Sequence, residues 1–203
     1  AEDGRLATRE QVQAQVERLI SDAKIAKPRI LGFFREYFEY GGAVDVFKDI
    51  ALNRNHSPDV LVHDTDQLIM HIYKQDKNVL RELLTTNKSF VQHRIDSKTK
   101  ESARASAKQL GAHLAYSLPP DWKWIPDQPI EMPGSQRAGI LTQPAWLVAK
   151  SGNFDNDAIR RGLWVRAKLL GGSIPDIPIT VDAQLPDDDT LTLREKMKVT
   201  EEA

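Results

Sequence analysis

Apolar residues recur at helical spacing through the first half of the chain. In the segment ATREQVQAQVERLISDAK, Val12, Val16, Leu19 and Ile20 lie three or four residues apart, which predicts an amphipathic helix. Thr8 stands just before this helix, where a hydroxyl side chain can cap the first free N–H groups. The segment KPRILGFFREYFEYGG predicts a second helix, and we expect the two to pack as a helical hairpin.

Proline, glycine and capping residues predict where the following helices begin and end. Pro28 is expected in the first turn of the second helix, and Gly41 and Gly42 are expected to stop it. The segments HSPDVLVHDTDQLIMHIYKQ and DKNVLRELLTTN predict two more helices, with Ser57 and Asp76 as their caps. A short extended segment, KSFVQHRI, and a helix over SKTKESARASAKQLGAH are expected next.

The pattern changes at a proline-rich stretch in the middle of the chain. Five prolines between Tyr116 and Ser135 exclude a regular helix and mark the best domain boundary. We therefore predict three parts: a helical domain over residues 1–115, a proline-rich crossing over 116–136, and a strand–helix–arm–helix unit over 137–203.

The segment AGILTQPAWLVAKS opens the last part and predicts one or two short strands, interrupted at Pro144. A helix, a second proline-rich arm and a final helix capped by Thr190 are expected after it. The predicted fold class is mainly α: an irregular helical assembly with proline-rich arms and at most a few short strands.

Composition narrows the classes of function. The chain has 203 residues, with Lys+Arg 28 against Asp+Glu 29, so its net charge of −1 gives no general attraction to nucleic acid. The absence of cysteine excludes disulfides, thiolate metal sites and a covalently attached c-type haem within these residues. The chain contains no apolar run of about 18 residues, so we predict no membrane span.

The helix that contains RRGLWVRAKLLGG places a cation among apolar residues. At about 100° per residue from Ala158, the apolar side chains fall on one arc and Arg166 falls at about 80°, in the middle of it. This arc is expected to be buried, and a buried guanidinium requires an acceptor. The acceptor is either a carboxylate or carbonyl of the same fold or a carboxylate of a ligand.

The opposite arc of the same helix is cationic and carries an indole. Its members are Arg160, Arg161, Trp164 and Lys168. Cations that flank an indole can present a flat, positively charged surface to an anion. The alternative is a solvated helix face, which is what most charged faces are.

Two other groups of residues suggest binding sites. Trp122 and Trp124, two residues apart in the proline-rich crossing, could stack on a sugar or cover the seam between two halves of the fold. His63 and Asp66 lie three residues apart on one predicted helix, and His71 follows on the same helix. These are too few convergent ligands for a metal enzyme, so we predict no metal site.

Four stretches carry a family resemblance when they are taken in order: ILGFFREYFEYGGAVDVFKD, VLRELLTTNKSFV, RAGILTQPAWLVAKS and RRGLWVRAKLLGGSIPDIP. As a set they resemble the planctomycete-type large cytochrome-like multidomain proteins. The first two resemble the domain of unknown function numbered fifteen-ninety-two, and the last two the domain numbered fifteen-eighty-eight. In such proteins the equivalent of TLREKMKV leads into a Cys-x-x-Cys-His haem-attachment segment, and this chain ends at Ala203, before that segment.

The resemblance implies a non-catalytic scaffold or docking fragment of a periplasmic or extracellular c-type cytochrome-like protein, linked to electron transfer. Its partners would be other segments or subunits of the same multidomain protein, and haem c would belong to the parent or partner chain. Haem propionates would then be acceptors for Arg166, Arg160 or Arg161 through charge-assisted hydrogen bonds. An extracellular glycan-binding module and a metal-dependent enzyme are the alternatives.

Overall fold

Helices form most of the structure, as the pattern of the sequence predicts. A computed structural model of the chain describes residues 6–48, 57–91, 115–153, 156–173, 188 and 190–201. These residues contain seven α-helices and one two-stranded sheet, which confirms the mainly α class. The predicted helix over SKTKESARASAKQLGAH and most of the second proline-rich arm lie outside the described residues.

The elements follow one another in this order along the chain. The α-helices are α1 (Arg9–Ser21), α2 (Ala23–Phe38), α3 (Pro58–Gln75), α4 (Val79–Thr85), α5 (Pro144–Ala149), α6 (Ala158–Trp164) and α7 (Leu193–Glu201). The strands β1 (Lys88–Ser89) and β2 (Ile130–Glu131) pair antiparallel. Two 3₁₀ segments cover Tyr40–Asp45 and Ile140–Thr142, and a π turn covers Val165–Leu169. The chain divides into two units, residues 1–153 and 154–203.

The ends of the first two helices show both the strength and the limit of capping rules. Thr8 caps α1 as predicted, in a reciprocal pair with Gln11: each backbone N–H donates to the other side chain, over 3.2 and 3.3 Å. The predicted start of α2 is wrong. Asp22 accepts a hydrogen bond from the Lys24 N–H at 2.9 Å and starts the helix early, so that Pro28 lies inside it.

Residues in the left-handed conformation end α2 and α3. Glu39 (φ 58°) ends α2, and the chain continues as a 3₁₀ segment that contains Gly41 and Gly42 instead of stopping at them. Asp76 (φ 49°) ends α3 instead of capping α4. Ser57 occupies the cap position of α3 as predicted, but its side chain makes no capping hydrogen bond to the described residues. Proline at the first helical position completes that start.

Helix α3 lies at the centre of the first unit. It packs against α2, α4, α5, β1 and the 3₁₀ segment Tyr40–Asp45. Its buried apolar side chains are Leu61, Val62, Leu68, Ile69, Met70 and Ile72. Three polar side chains of the same helix are also buried, so α3 brings charge into the core along with apolar surface.

The segment predicted as short strands around Pro144 is helical instead. Pro144 is the first residue of α5, a position where a missing N–H costs nothing and the fixed φ angle suits the helix. Ala145, Trp146 and Ala149 of this helix are buried. The extended prediction for KSFVQHRI is confirmed over the two residues of β1.

The final helix begins two residues later than predicted. The N–H of Glu195 donates to the Thr192 hydroxyl at 3.4 Å, and the Glu195 carboxylate accepts from the Thr192 N–H at 2.7 Å. Thr190, the predicted cap, donates instead to Asp188.

Gly139 is required where the chain passes the end of α4. Its φ of 69° is in the region that favours glycine, and its N–H donates to the Thr86 carbonyl at 2.7 Å. A Cβ at this position would lie 2.3 Å from the carbonyl carbon and oxygen of Leu84. These are backbone atoms, so rotation of a side chain cannot relieve the clash.

We predict that Gly139→Ala lowers the free energy of unfolding by at least about 2 kcal/mol, because strain and overlap add. Urea denaturation followed by circular dichroism measures this. Gly32→Ala is the matched control, since a Cβ there meets nothing within 4 Å in α2 and should stabilise by up to about 1 kcal/mol. Equal stabilities of the two variants would contradict the assigned packing.

Candidate functional site

Two buried carboxylates on α3 organise the charged interior of the first unit. Asp66 accepts hydrogen bonds from the Tyr40 hydroxyl at 2.7 Å and from Arg35 Nε at 3.0 Å. Arg35 Nη2 contacts the second carboxylate oxygen, so the guanidinium binds both oxygens. This cluster joins α2, the 3₁₀ segment and α3.

Asp64, two residues earlier on α3, accepts a hydrogen bond from the Tyr116 hydroxyl at 2.6 Å. Both side chains are buried. Arg137 is also buried and interacts electrostatically with Tyr116. Its Nη2 donates to the Ala115 carbonyl at 3.0 Å. This second cluster fixes the start and end of the proline-rich crossing against α3.

The pKa shifts in both clusters keep the tyrosines protonated and the arginine charged, which suits a structural role. Burial raises the pKa of Tyr40, and the hydrogen bond to Asp66 raises it further. Burial also raises the pKa of Tyr116, with the charge of Asp64 as the second cause. The hydrogen bond to Asp66 raises the pKa of Arg35, so this guanidinium stays charged. The two hydroxyls therefore remain donors at neutral pH.

The helix positions considered for a metal do not converge. Asp66 is engaged by Arg35 and Tyr40, while His63 is exposed with its Nε2 3.0 Å from the amide nitrogen of Gln67. Burial lowers the pKa of His71, and nearby Lys88 lowers it further. Among the described residues, no group of three or more histidine or carboxylate side chains is close enough to hold a metal ion.

The two tryptophans of the proline-rich crossing are half-buried. The indole N–H of Trp124 donates to the Val91 carbonyl at 3.0 Å, and the Val91 N–H donates to Gln128 at 3.0 Å. These bonds tie the crossing to the residues that follow β1. This geometry suits the packing alternative for Trp124, and the glycan alternative for Trp122 and Trp124 stays a prediction.

The expected burial of Arg166 is wrong. Arg166 is exposed, as are three apolar residues of the same predicted arc: Ile159 (66%), Leu163 (47%) and Leu170 (74%). Trp164, assigned to the opposite, cationic arc, is buried. Arg160 and Lys168 are exposed and Arg161 is half-buried.

The reversal has two physical causes. The large indole of Trp164 offers more apolar area to bury than any single aliphatic side chain of the helix. In addition, residues Val165–Leu169 are wound as a π turn, with the Leu170 N–H donating to the Val165 carbonyl at 3.1 Å. A constant rotation of about 100° per residue therefore fails beyond Trp164.

The π turn also fixes the position of Arg166. Its Nε donates to the Ser173 carbonyl at 3.1 Å, and the Gly172 N–H donates back to the Arg166 carbonyl at 2.9 Å. A Cβ on Gly172 would lie only 3.1 Å from Arg166 Cγ, so glycine lets the arginine stem lie close to the backbone. The hydrogen bond to Ser173 therefore limits the orientations open to the guanidinium.

A second exposed surface lies on the first helices, and we call it the N-terminal apolar surface. On α1 its members are 41% to 59% exposed, and no residue of that helix is buried; they are Val12, Val16, Leu19 and Ile20. On α2 it contains Phe33 and Tyr37, whose rings stack with centroids 6.2 Å apart. Phe33 is 62% exposed.

Two family models match separate parts of the chain. Residues 1–97 match the family described as PSD4, protein of unknown function (DUF1592), and residues 137–203 match PSCyt3, protein of unknown function (DUF1588). The chain thus matches both of the domains named by the resemblance, in the expected order, which confirms the resemblance. No curated protein and no solved structure matches the chain.

The two family regions meet within the first unit of the structure. Helix α5, from the DUF1588 region, packs against the 3₁₀ segment Tyr40–Asp45 of the DUF1592 region. Buried Lys150 forms an ion pair with Glu39, and Lys48 Nζ donates to the Ser151 hydroxyl at 2.8 Å. The division between the structural units falls after residue 153, beyond the predicted crossing at 116–136.

We predict that stability falls steeply above pH 10. Unfolded tyrosines ionise near 10, whereas Tyr40 and Tyr116 keep their protons in the fold because their pKa values are raised. Each should therefore reduce the free energy of unfolding by about 1.4 kcal/mol per pH unit above 10. Urea denaturation at pH 9, 10 and 11 measures the slope. Tyr116→Phe should reduce this slope by about 1.4 kcal/mol per pH unit, the contribution of one tyrosine. An unchanged slope would contradict the assignment.

Proposed function

We propose that this chain is a non-catalytic docking body of a secreted or periplasmic c-type cytochrome-like protein. The two family matches support the cytochrome-like context. The N-terminal apolar surface is the observation that carries the docking role. In this role the chain holds haem-bearing or neighbouring segments of the same multidomain protein in place.

The hydrogen bonding of the buried carboxylates supports a structural role for this chain rather than an enzymatic one. Both buried carboxylates of α3 accept hydrogen bonds from tyrosines, and Asp66 is also bound at both oxygens by Arg35. Groups held in this way cannot exchange protons or bind substrate without breaking the core. Their effect is to join segments that are distant in sequence.

The N-terminal apolar surface has the character of a protein interface. Contiguous exposed apolar side chains mark association sites, and aromatic residues contribute most where interfaces bind tightly. On α1 the apolar stripe is exposed along the whole helix, so α2 leaves it accessible. Phe33 and Tyr37 add an exposed, stacked aromatic pair on α2.

Haem enters this proposal as the cofactor of another segment. The chain has no cysteine, so haem c would be attached elsewhere in the parent or a partner chain. Such attachment takes place outside the cytoplasm, which supports the periplasmic or extracellular location. Arg160, Arg161 and Arg166 can offer charge-assisted hydrogen bonds to haem propionates or to carboxylates of neighbouring segments. Electron transfer would be the work of the haem-bearing segment.

We predict that the isolated chain self-associates and binds an apolar dye through its N-terminal apolar surface. Val16→Glu combined with Phe33→Ser should return it to a monomer and reduce dye fluorescence several-fold, because both side chains are solvent-exposed and the core is untouched. Size-exclusion chromatography with light scattering and a bis-anilinonaphthalene titration measure the two effects.

Leu80→Ser is the matched control, since Leu80 on α4 is as exposed as Phe33 (both 62%) but lies outside the surface. It should leave association and dye binding unchanged. A wild-type chain that stays monomeric and binds no dye at high concentration would argue against the docking role.

We predict covalent haem in the product of the complete reading frame that encodes this chain. Expression with a c-type haem maturation system, followed by pyridine haemochrome absorbance and mass spectrometry, tests for it. The expected result is at least one haem attached outside the 203 residues, because they contain no cysteine. A full-length product that carries none would overturn the cytochrome assignment and leave the docking role to be judged by the surface variants.

A further inference from the structure

Helix α6 and its π turn carry an exposed apolar stripe with a cation inside it. Ile159 and Leu163 lie one turn apart on α6, and Arg166 and Leu170 follow in and directly after the π turn. All four are exposed, whereas Trp164 on another face is buried. The residues that the structure describes therefore leave this stripe exposed.

Arg166 is prepared for a carboxylate partner. Its Nε is occupied by the Ser173 carbonyl, and its stem lies against Gly172. Its two terminal nitrogens have no hydrogen-bond acceptor in the part of the chain that the structure describes. A guanidinium oriented in this way can bind both oxygens of one carboxylate with little further ordering.

The charge of the segment specifies the sign of the partner. Residues 158–169 contain Arg160, Arg161, Arg166 and Lys168 and no acidic residue. The whole chain has a net charge of −1, so this helix is a local concentration of positive charge. A partner with acidic residues is attracted by the entire segment, and one carboxylate meets the arginine of the stripe.

We propose that this stripe binds an amphipathic acidic helix of a neighbouring segment, with one Asp or Glu of that helix paired to Arg166. The proposal rests on the docking function and names the partner of this second surface. An amphipathic helix fits because one of its faces can present apolar side chains together with a carboxylate. The paired charges set the register, as a single polar position does in helical coils.

The probe for this site is a designed, fluorescein-labelled helical peptide with leucines at i, i+4 and i+11 and Glu at i+7. A second peptide has Lys at i+7 and is otherwise identical. Fluorescence anisotropy with the 203-residue chain should give saturable binding of the Glu peptide and about tenfold weaker binding of the Lys peptide, because the wrong charge leaves Arg166 unpaired.

Charge reversal in the protein provides the decisive comparison. Arg166→Glu should invert the preference between the two peptides, and Leu163→Ser should weaken binding of both. Lys168→Glu changes charge by the same amount on the same helix but off the stripe, so it should preserve the preference for the Glu peptide. Circular dichroism checks that each variant keeps its helix content.

Three results would overturn the proposal: equal binding of the two peptides, an unchanged preference in Arg166→Glu, or inversion by Lys168→Glu. Sodium laurate is tested in parallel, since its carboxylate and chain could also meet the stripe. Arg166-dependent binding of laurate without peptide binding would show a site for small amphiphiles instead. None of these variants alters α1 or α2, so failure here is distinct from failure of the N-terminal apolar surface.

Discussion

The contact between Arg35 and Asp66, completed by the Tyr40 hydroxyl, is the interaction on which the rest of the first unit depends. It places a charged pair beside the central helix and fixes α2 and the following 3₁₀ segment against it. Helix α5 then packs on that 3₁₀ segment. Loss of either charged partner would leave the other poorly compensated at the edge of the core, so the pair must form for the surrounding packing to be stable.

Local signals in the sequence were sufficient for the class of fold and for several helix starts. Thr8 with Gln11, and proline directly after Ser57, are short-range patterns that act within one turn of helix. The buried clusters gave no such signal. Asp66 lies 31 residues from Arg35, and Asp64 lies 52 residues from Tyr116, so only the folded chain brings these groups together.

The candidate sites were predicted in part. The residues alone indicate the cationic helix, but not which of its faces is buried. The π turn changes the rotation per residue after Trp164, and the large indole of Trp164 is buried in preference to smaller aliphatic side chains. The exposure of the N-terminal apolar surface could not be predicted for a different reason. Apolar periodicity predicts a helix and its apolar face, and it cannot distinguish a face covered by this chain from one left for a partner.

The ion pair between Lys150 and Glu39 has a consequence for the evolution of proteins that contain both regions. It joins residues from two families that are described separately, and α5 packs within the unit formed largely by the other family's helices. A gene rearrangement that moved one region alone would expose apolar area and remove the carboxylate that pairs with Lys150. Selection should therefore keep the two regions side by side in genomes, as a single module that recombines intact.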